Sequence, residues 1–222
     1  MYAAKKFNEV EILFPQSQMA PRAALMAAYS YYSQNYYADS IAELERFIKI
    51  YSNNKNIDYA EYLLALCYYE QIVDEKKDLE SIENSKKIFL SITKKYPNSD
   101  FAIDSEFKLN LINDMLAAKE MYVGRYYIER KKWIAAINRF KFVIDNYETT
   151  MYIEEALHRL VEIYFIIGLE NEAKKYASLL GYNYQSSLWY ENSYSFFDEN
   201  YKKNKLKKDD GTILKKFKSL FE

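Results

Sequence analysis

The chain has 222 residues, half of them hydrophobic, and 31 basic side chains against 32 acidic ones leave a net charge of −1. The lack of a basic excess argues against nucleic acid as the main partner, because phosphate neutralisation calls for one. No apolar run approaches the ~18 to 20 residues of a membrane span, and 4 Gly and 3 Pro are too few for a sandwich, a barrel or a Gly-looped α/β enzyme. A single cysteine, Cys67, excludes an internal disulfide and leaves the compartment open. Tyrosine is abundant, with 24 copies beside 13 Phe and 2 Trp. Such rings suit helix–helix stacks, where the ring packs and the hydroxyl reaches water.

In chain order the apolar spacing predicts helices over Tyr2–Phe14, Pro21–Ser33, Tyr37–Tyr51, Asp58–Ile72 and Leu79–Tyr96. A further helix over Phe101–Ala118 runs on into Lys119–Lys131. Trp133–Tyr147, Tyr152–Ile167 and Glu170–Leu180 follow, and Ser187 to Phe197 forms a capping helix. Asp58 is placed to cap the fourth helix, and Ser99 or Asp100 the sixth. Val73–Asp78 reads as a polar surface loop. Met1 leads at once into an amphipathic pattern and not into a signal peptide.

The helices repeat. Tyr31-Tyr32 recurs 37 residues on as Tyr68-Tyr69, and the block from Tyr37 to Tyr51 recurs 96 residues on as Trp133 to Tyr147. The tetratricopeptide (TPR) template asks for a small residue, a large apolar one four later, and often a proline after the second helix of each pair. Ala3, Phe7 and Pro15 meet it, as do Ser85, Phe89 and Pro97. Ser40 with Leu44 and Ala136 with Phe140 meet it without the proline. On first helices, Ala28 with Tyr31, Ala65 with Tyr68 and Gly124 with Tyr127 supply the small residue and the Tyr three later. Val161 with Tyr164 is a looser copy, with Gly168 available for the turn. The fold class expected is all-α, a right-handed α-solenoid of TPR hairpins with a C-terminal capping helix and a flexible tail. Helix 2–14 lacks its template partner within the sequence, so its face of Phe7, Val10 and Leu13 has no local cover. A missing N-terminal segment is the favoured explanation, and cover by another protein is the alternative.

One stretch is more specific than any TPR consensus. Glu120, Val123, Tyr126, Tyr127, Arg130, Trp133, Ala135, Asn138 and Arg139 read E-x-x-V-x-x-Y-Y-x-x-R-x-x-W-x-A-x-x-N-R. With Phe14-Pro15-x-Ser17, Ala20-Pro21-Arg22-Ala23, Asn56-Ile57-Asp58-Tyr59 and Tyr96-Pro97-Asn98-Ser99, this resembles the BamD family of outer-membrane assembly lipoproteins, over about Phe7 to Asn192. The resemblance implies a non-enzymatic scaffold and substrate-receiving subunit of the β-barrel assembly machinery, on the periplasmic face of the outer membrane. It implies docking on the POTRA domains of the barrel component BamA, contacts with the other assembly lipoproteins, and capture of unfolded outer-membrane protein C-termini. Residues 1–97 would then be substrate-receiving repeats, the first incomplete, and 98–197 scaffold-docking repeats with the capping helix. Family members carry a lipidated cysteine near the start; no residue of this chain is expected to fill that role, since Cys67 lies inside a helix. The alternative is a generic TPR adaptor of the envelope or cytosol, such as a cell-wall or division coordinator, which need not carry the Tyr126–Arg139 block.

By that resemblance Arg139, Asn138, Tyr126 and Arg130 face the POTRA side, where an Arg fork can hold a carboxylate bidentately. The competing reading for Arg139 is an intramolecular pair with Glu120 or Glu129. Tyr29, Tyr32, Tyr36, Tyr62 and Tyr69 lie on the first-helix side and are candidates for a groove that accepts an aromatic-ended extended peptide. The competing reading is interhelical packing. Residues 198–222 form a basic tail in which Ile213, Leu214, Phe217, Leu220 and Phe221 fall at helical spacing, with Lys215, Lys216 and Lys218 between them. Such a segment could dock on a partner or touch anionic lipid; the competing reading is a solvated tail whose few apolar residues dock loosely on the stack. No cofactor and no metal is expected. His158, the one histidine, reads as structural although Glu154, Glu155 and Glu162 sit a turn away, because H-E-x-x-H and Cys/His clusters are absent.

Overall fold

The computed structural model describes residues 2–72 and 79–198. The expected loop at 73–78 and the expected tail helix lie outside the described residues. Within them the protein is all-helical: α1 (Tyr2–Leu13), α2 (Ala20–Tyr32), α3 (Tyr37–Ile50), α4 (Ile57–Tyr69), α5 (Leu79–Lys95), α6 (Asp100–Glu129), α7 (Trp133–Asn146), α8 (Ile153–Ile166), α9 (Glu170–Asn183) and α10 (Leu188–Tyr194). The chain divides into two compact units, Met1–Leu116 and Ala117–Glu222. The division falls within α6, a single helix of 30 residues.

The repeat is visible in the backbone. The α2–α3, α6–α7 and α8–α9 turns each place one residue in the left-handed region, Asn35 (φ 61°), Lys131 (φ 56°) and Gly168 (φ 80°). In each turn the next N–H donates to a carbonyl five residues back, Tyr36 to Tyr31 at 3.0 Å, Lys132 to Tyr127 at 2.9 Å and Leu169 to Tyr164 at 2.8 Å. These are Schellman closures, which satisfy carbonyls that the helix end leaves without partners. The accepting residue is the template tyrosine in every case. Lys131 alone bears a long side chain in a conformation that costs an L-residue roughly 1–2 kcal/mol. Lys131→Gly is therefore expected to raise the unfolding free energy by about 1 kcal/mol, read as a higher urea midpoint at unchanged slope.

Second helices end alike. The N–H groups of Tyr51, Tyr96, Tyr147 and Tyr184 each donate to the carbonyl four residues back, at 2.8–2.9 Å. At starts, Ser99 Oγ accepts from the Ala102 N–H at 3.1 Å, capping α6 as its sequence anticipates. Asp58 does not cap α4. That helix begins a residue earlier, at Ile57, and the Asp58 carboxylate accepts from its neighbour Tyr59 N–H instead, at 2.8 Å.

Packing follows the small-then-large template. Ser40, Ser85 and Ala136, with Leu44, Phe89 and Phe140 four later, have no exposed surface at all. Ser40 Oγ also donates to the Ala28 carbonyl at 2.9 Å, so a buried hydroxyl joins α3 to α2. Ala3 and Phe7 hold the same template positions in α1, yet Ala3 is exposed and Phe7 only half-buried. Val10 and Leu13 on that face are also exposed. What holds α1 is its other side: Ala4 is buried, and the Glu11 carboxylate takes both Arg46 guanidinium nitrogens at 2.8 and 2.6 Å and the Tyr51 hydroxyl at 2.8 Å. The Arg46 hydrogen bonds hold the Glu11 carboxyl below its ordinary range despite burial.

Candidate partner-binding sites

In the first unit α2, α4 and the start of α6 line an open depression of about 480 Å³. Leu25, Met26, Tyr29, Tyr59 and Phe101 supply apolar wall, and Arg22, Lys55 and Asp58 supply charge. The wall is built by ring packing, with Tyr59 and Phe101 centroids 5.5 Å apart and Tyr62 and Phe101 5.1 Å apart. Helical spacing sets this up, since Arg22, Leu25, Met26 and Tyr29 recur every three or four residues along one side of α2.

Of the five tyrosines singled out from sequence, Tyr29 lines the depression and is 43 % exposed. Tyr32 lies against it, with centroids 6.4 Å apart, but is half-buried between Tyr29 and Tyr37. Burial, followed by the nearby Glu70, pushes its phenol up to about 12. Tyr62 packs on Phe89 and Phe101 and donates its hydroxyl to Asp104 on α6. Tyr69 packs on Phe89 beneath the Lys108 ammonium, which sits 4.7 Å from the ring centroid. Tyr36 is exposed at the α2–α3 turn. Arg22, Met26, Lys55 and Phe101 were not anticipated. Arg22 and Met26 are one helical turn from Tyr29 or two, a spacing that could have found them. Lys55 and Phe101 come from other elements, and only folding brings them in.

In the second unit the Tyr126–Arg139 block straddles the α6–α7 turn. The Arg130 guanidinium lies over the Tyr126 ring at 4.5 Å, and Tyr126 meets Tyr127 edge-on at 5.8 Å. On α7, Asn138 is exposed and Arg139 donates from Nη1 to Glu120 at 2.9 Å. The Arg139 side chain stays 44 % exposed while that of Glu120 is 11 % exposed. One face of the guanidinium fork is thus anchored and the rest open to solvent. Further along, Arg125 grips Glu155 through two nitrogens at 2.8 and 2.9 Å, tying α6 to α8.

His158 is buried, with Nδ1 2.8 Å from Ser193 Oγ and its ring 5.1 Å from Trp189 and 6.2 Å from Phe196. It fastens α10 to α8. Burial, and then the adjacent Arg159, lower its pKa to about 4, only partly opposed by Glu162 and Glu155. Among the described residues no three His, Cys, Asp or Glu are grouped to hold a metal ion, and no helix is long and apolar enough to cross a membrane.

Helix hairpins in repeated register, with an aromatic depression in one unit and an Arg/Tyr ridge in the other, define an all-helical, TPR-like repeat protein. Comparison with known families narrows that class. The chain belongs to the YfiO family, described as outer membrane lipoprotein, which it matches over residues 1–179. It is 42 % identical over 198 residues to the outer membrane protein assembly factor BamD of Caulobacter vibrioides, covering 89 % of this chain and 65 % of that protein. It is 47 % identical over 192 residues to the protein of that name in Rickettsia prowazekii, covering 86 % of this chain and 76 % of the relative. The Neisseria gonorrhoeae protein is 32 % identical over 165 residues, 70 % of this chain and 62 % of its own length.

Proposed function

We propose that this chain is a scaffold and substrate-receiving subunit of the β-barrel assembly machinery, working by protein–protein contact at the periplasmic face of the outer membrane. Family membership carries the reading, since the Caulobacter and Rickettsia relatives that match most of the chain are outer membrane protein assembly factors. In this account the first unit receives the unfolded C-termini of barrel proteins. An aromatic side chain enters between Leu25, Tyr59 and Phe101, with Tyr29 as an adaptable contact, and Arg22 and Lys55 attract an anionic peptide end. The second unit docks through Tyr126, Arg130, Asn138 and Arg139 on the POTRA domains of BamA, and the other lipoproteins of the machinery are further partners.

The test is a titration of the intact chain with those POTRA domains. Arg139→Lys keeps a cation beside Glu120 and removes the planar fork. Loss of one charge-assisted bidentate contact is expected to weaken binding roughly tenfold or more, with the melting temperature unchanged. Equal affinity removes Arg139 from the interface, and no binding by the unaltered chain overturns the scaffold reading. In the same preparation, a photoreactive residue at Tyr29 is expected to label a peptide carrying a barrel-protein C-terminus. Labelling that is unaffected by excess unlabelled peptide removes the groove assignment.

A further inference from the structure

Repeat arrays need their last apolar face covered, and among the described residues the cover here is short. Among the described residues the last hairpin, α8 and α9 with 14 residues each, is met beyond α9 by α10 alone, which has 7 residues and packs on both helices. Tyr190 of α10 sits over Gly181 so closely that a Cβ there would approach the ring to 2.7 Å. Beside that contact an open groove of about 550 Å³ remains between α9 and α10. From α9 it is lined by Lys174, Ala177, Gly181 and Tyr182, which is 85 % exposed, and from α10 and the residues after it by Tyr190, Tyr194 and Phe197.

We propose that the apolar stripe of residues 212–222 docks in this groove and completes the C-terminal cap. Where the chain goes makes it the favoured occupant. Phe197, a groove residue itself, stands one residue before the end of the described chain. The intervening stretch of about 13 residues can reach up to ~45 Å, far more than the ~20 Å length of α9. On a helix, Ile213, Leu214, Phe217, Leu220 and Phe221 share one side while Lys215, Lys216 and Lys218 take the other. An apolar side fits the aromatic walls, and the lysines are left to water. Tethering raises the effective concentration of such a segment above that of any free competitor of equal affinity.

Two cysteine pairs in the full-length chain test this under mild oxidation at low protein concentration. Tyr182→Cys with Phe217→Cys bridges the groove to the tail. Ile134→Cys with Phe217→Cys is the control, because Ile134 on α7 is 76 % exposed and does not line the groove. Tyr182 and Ile134 are both largely exposed, so neither substitution disturbs the described core. Cys67 stays in place, since it is buried and its thiol is pushed up to about 11, chiefly by burial. The intramolecular disulfide at 182–217 is expected to form roughly tenfold or more faster than the control, with the difference abolished by Leu214→Asp. Equal rates for the two pairs, the absence of any 182–217 disulfide, or disulfide-linked dimers as the main product each overturn the proposal; the last would assign the groove to a second copy.

Discussion

Phe140→Ala is expected to lower the unfolding free energy by about 3–5 kcal/mol, a large share of the 5–15 kcal/mol typical of a folded domain. Phe140 has no exposed surface, and its ring edge lies directly over Gly124 of the paired helix. A Cβ built on Gly124 would sit 2.6 Å from two atoms of that ring, closer than packed atoms come. Gly124→Ala should therefore destabilise by up to about 2 kcal/mol net, the ~1–3 kcal/mol of overpacking being offset by the ~1 kcal/mol of alanine's better helix propensity. The pair must also couple. In a Phe140→Leu background the shorter side chain clears the space, and Gly124→Ala should become neutral or stabilising by up to ~1 kcal/mol. Urea unfolding of the four variants measures this. If the alanine costs the same in both backgrounds, the close approach of α6 and α7 is not what selects glycine there.

Mild acid should loosen the C-terminal cap. The His158 pKa is lowered to about 4 in the folded protein, from an ordinary value of 6.5. Above pH 6.5 the ring is neutral folded and unfolded, and no pH dependence follows. Between pH 6.5 and 4 only the unfolded chain takes up the proton, so stability falls as the pH falls, by about 1.4 kcal/mol per unit and on the order of 3 kcal/mol in all. Below pH 4 this contribution levels off. His158→Gln keeps a polar partner for Ser193 and removes the titration. It should flatten the stability profile across that window and leave untouched the further acid loss from carboxylates such as Glu11, whose depressed pKa acts lower down. Tryptophan fluorescence of Trp189, which packs against His158, reports the undocking directly. An unchanged profile in the Gln variant would show that burial of this imidazole does not govern the acid response.

Much of this protein could be read from spacing alone because a repeat states its packing rule several times. Ser40–Leu44, Ser85–Phe89 and Ala136–Phe140 each follow it, and each pair is fully buried. The turn glycine at Gly168 was legible for the same reason. Asn35 and Lys131 at the equivalent positions were not, because a left-handed residue is announced by glycine and these two are placed there by the closing hydrogen bonds. The candidate groove was legible only in kind. Aromatic residues on first helices pointed to it, but Tyr62 and Tyr69 turn to Phe89, while Phe101 and Lys55 arrive from elsewhere. An aromatic side chain on a helix has apolar neighbours on offer in several directions, and spacing does not say which it meets.

Helical class, hairpin order and family kinship were therefore determined by the sequence itself, since each rests on residues three to four apart or on strings read directly. Tertiary structure alone decided which charges are satisfied internally and which face outward. Glu11 is enclosed by Arg46 and Tyr51, 35 and 40 residues away, and Arg139 is half committed to Glu120. His158 became the fastening of the cap only when α10 was laid against it. The physical reason is range: local periodicity dictates which face of a helix is apolar, whereas the partner of a buried polar group depends on which distant segment the packing brings within hydrogen-bond reach.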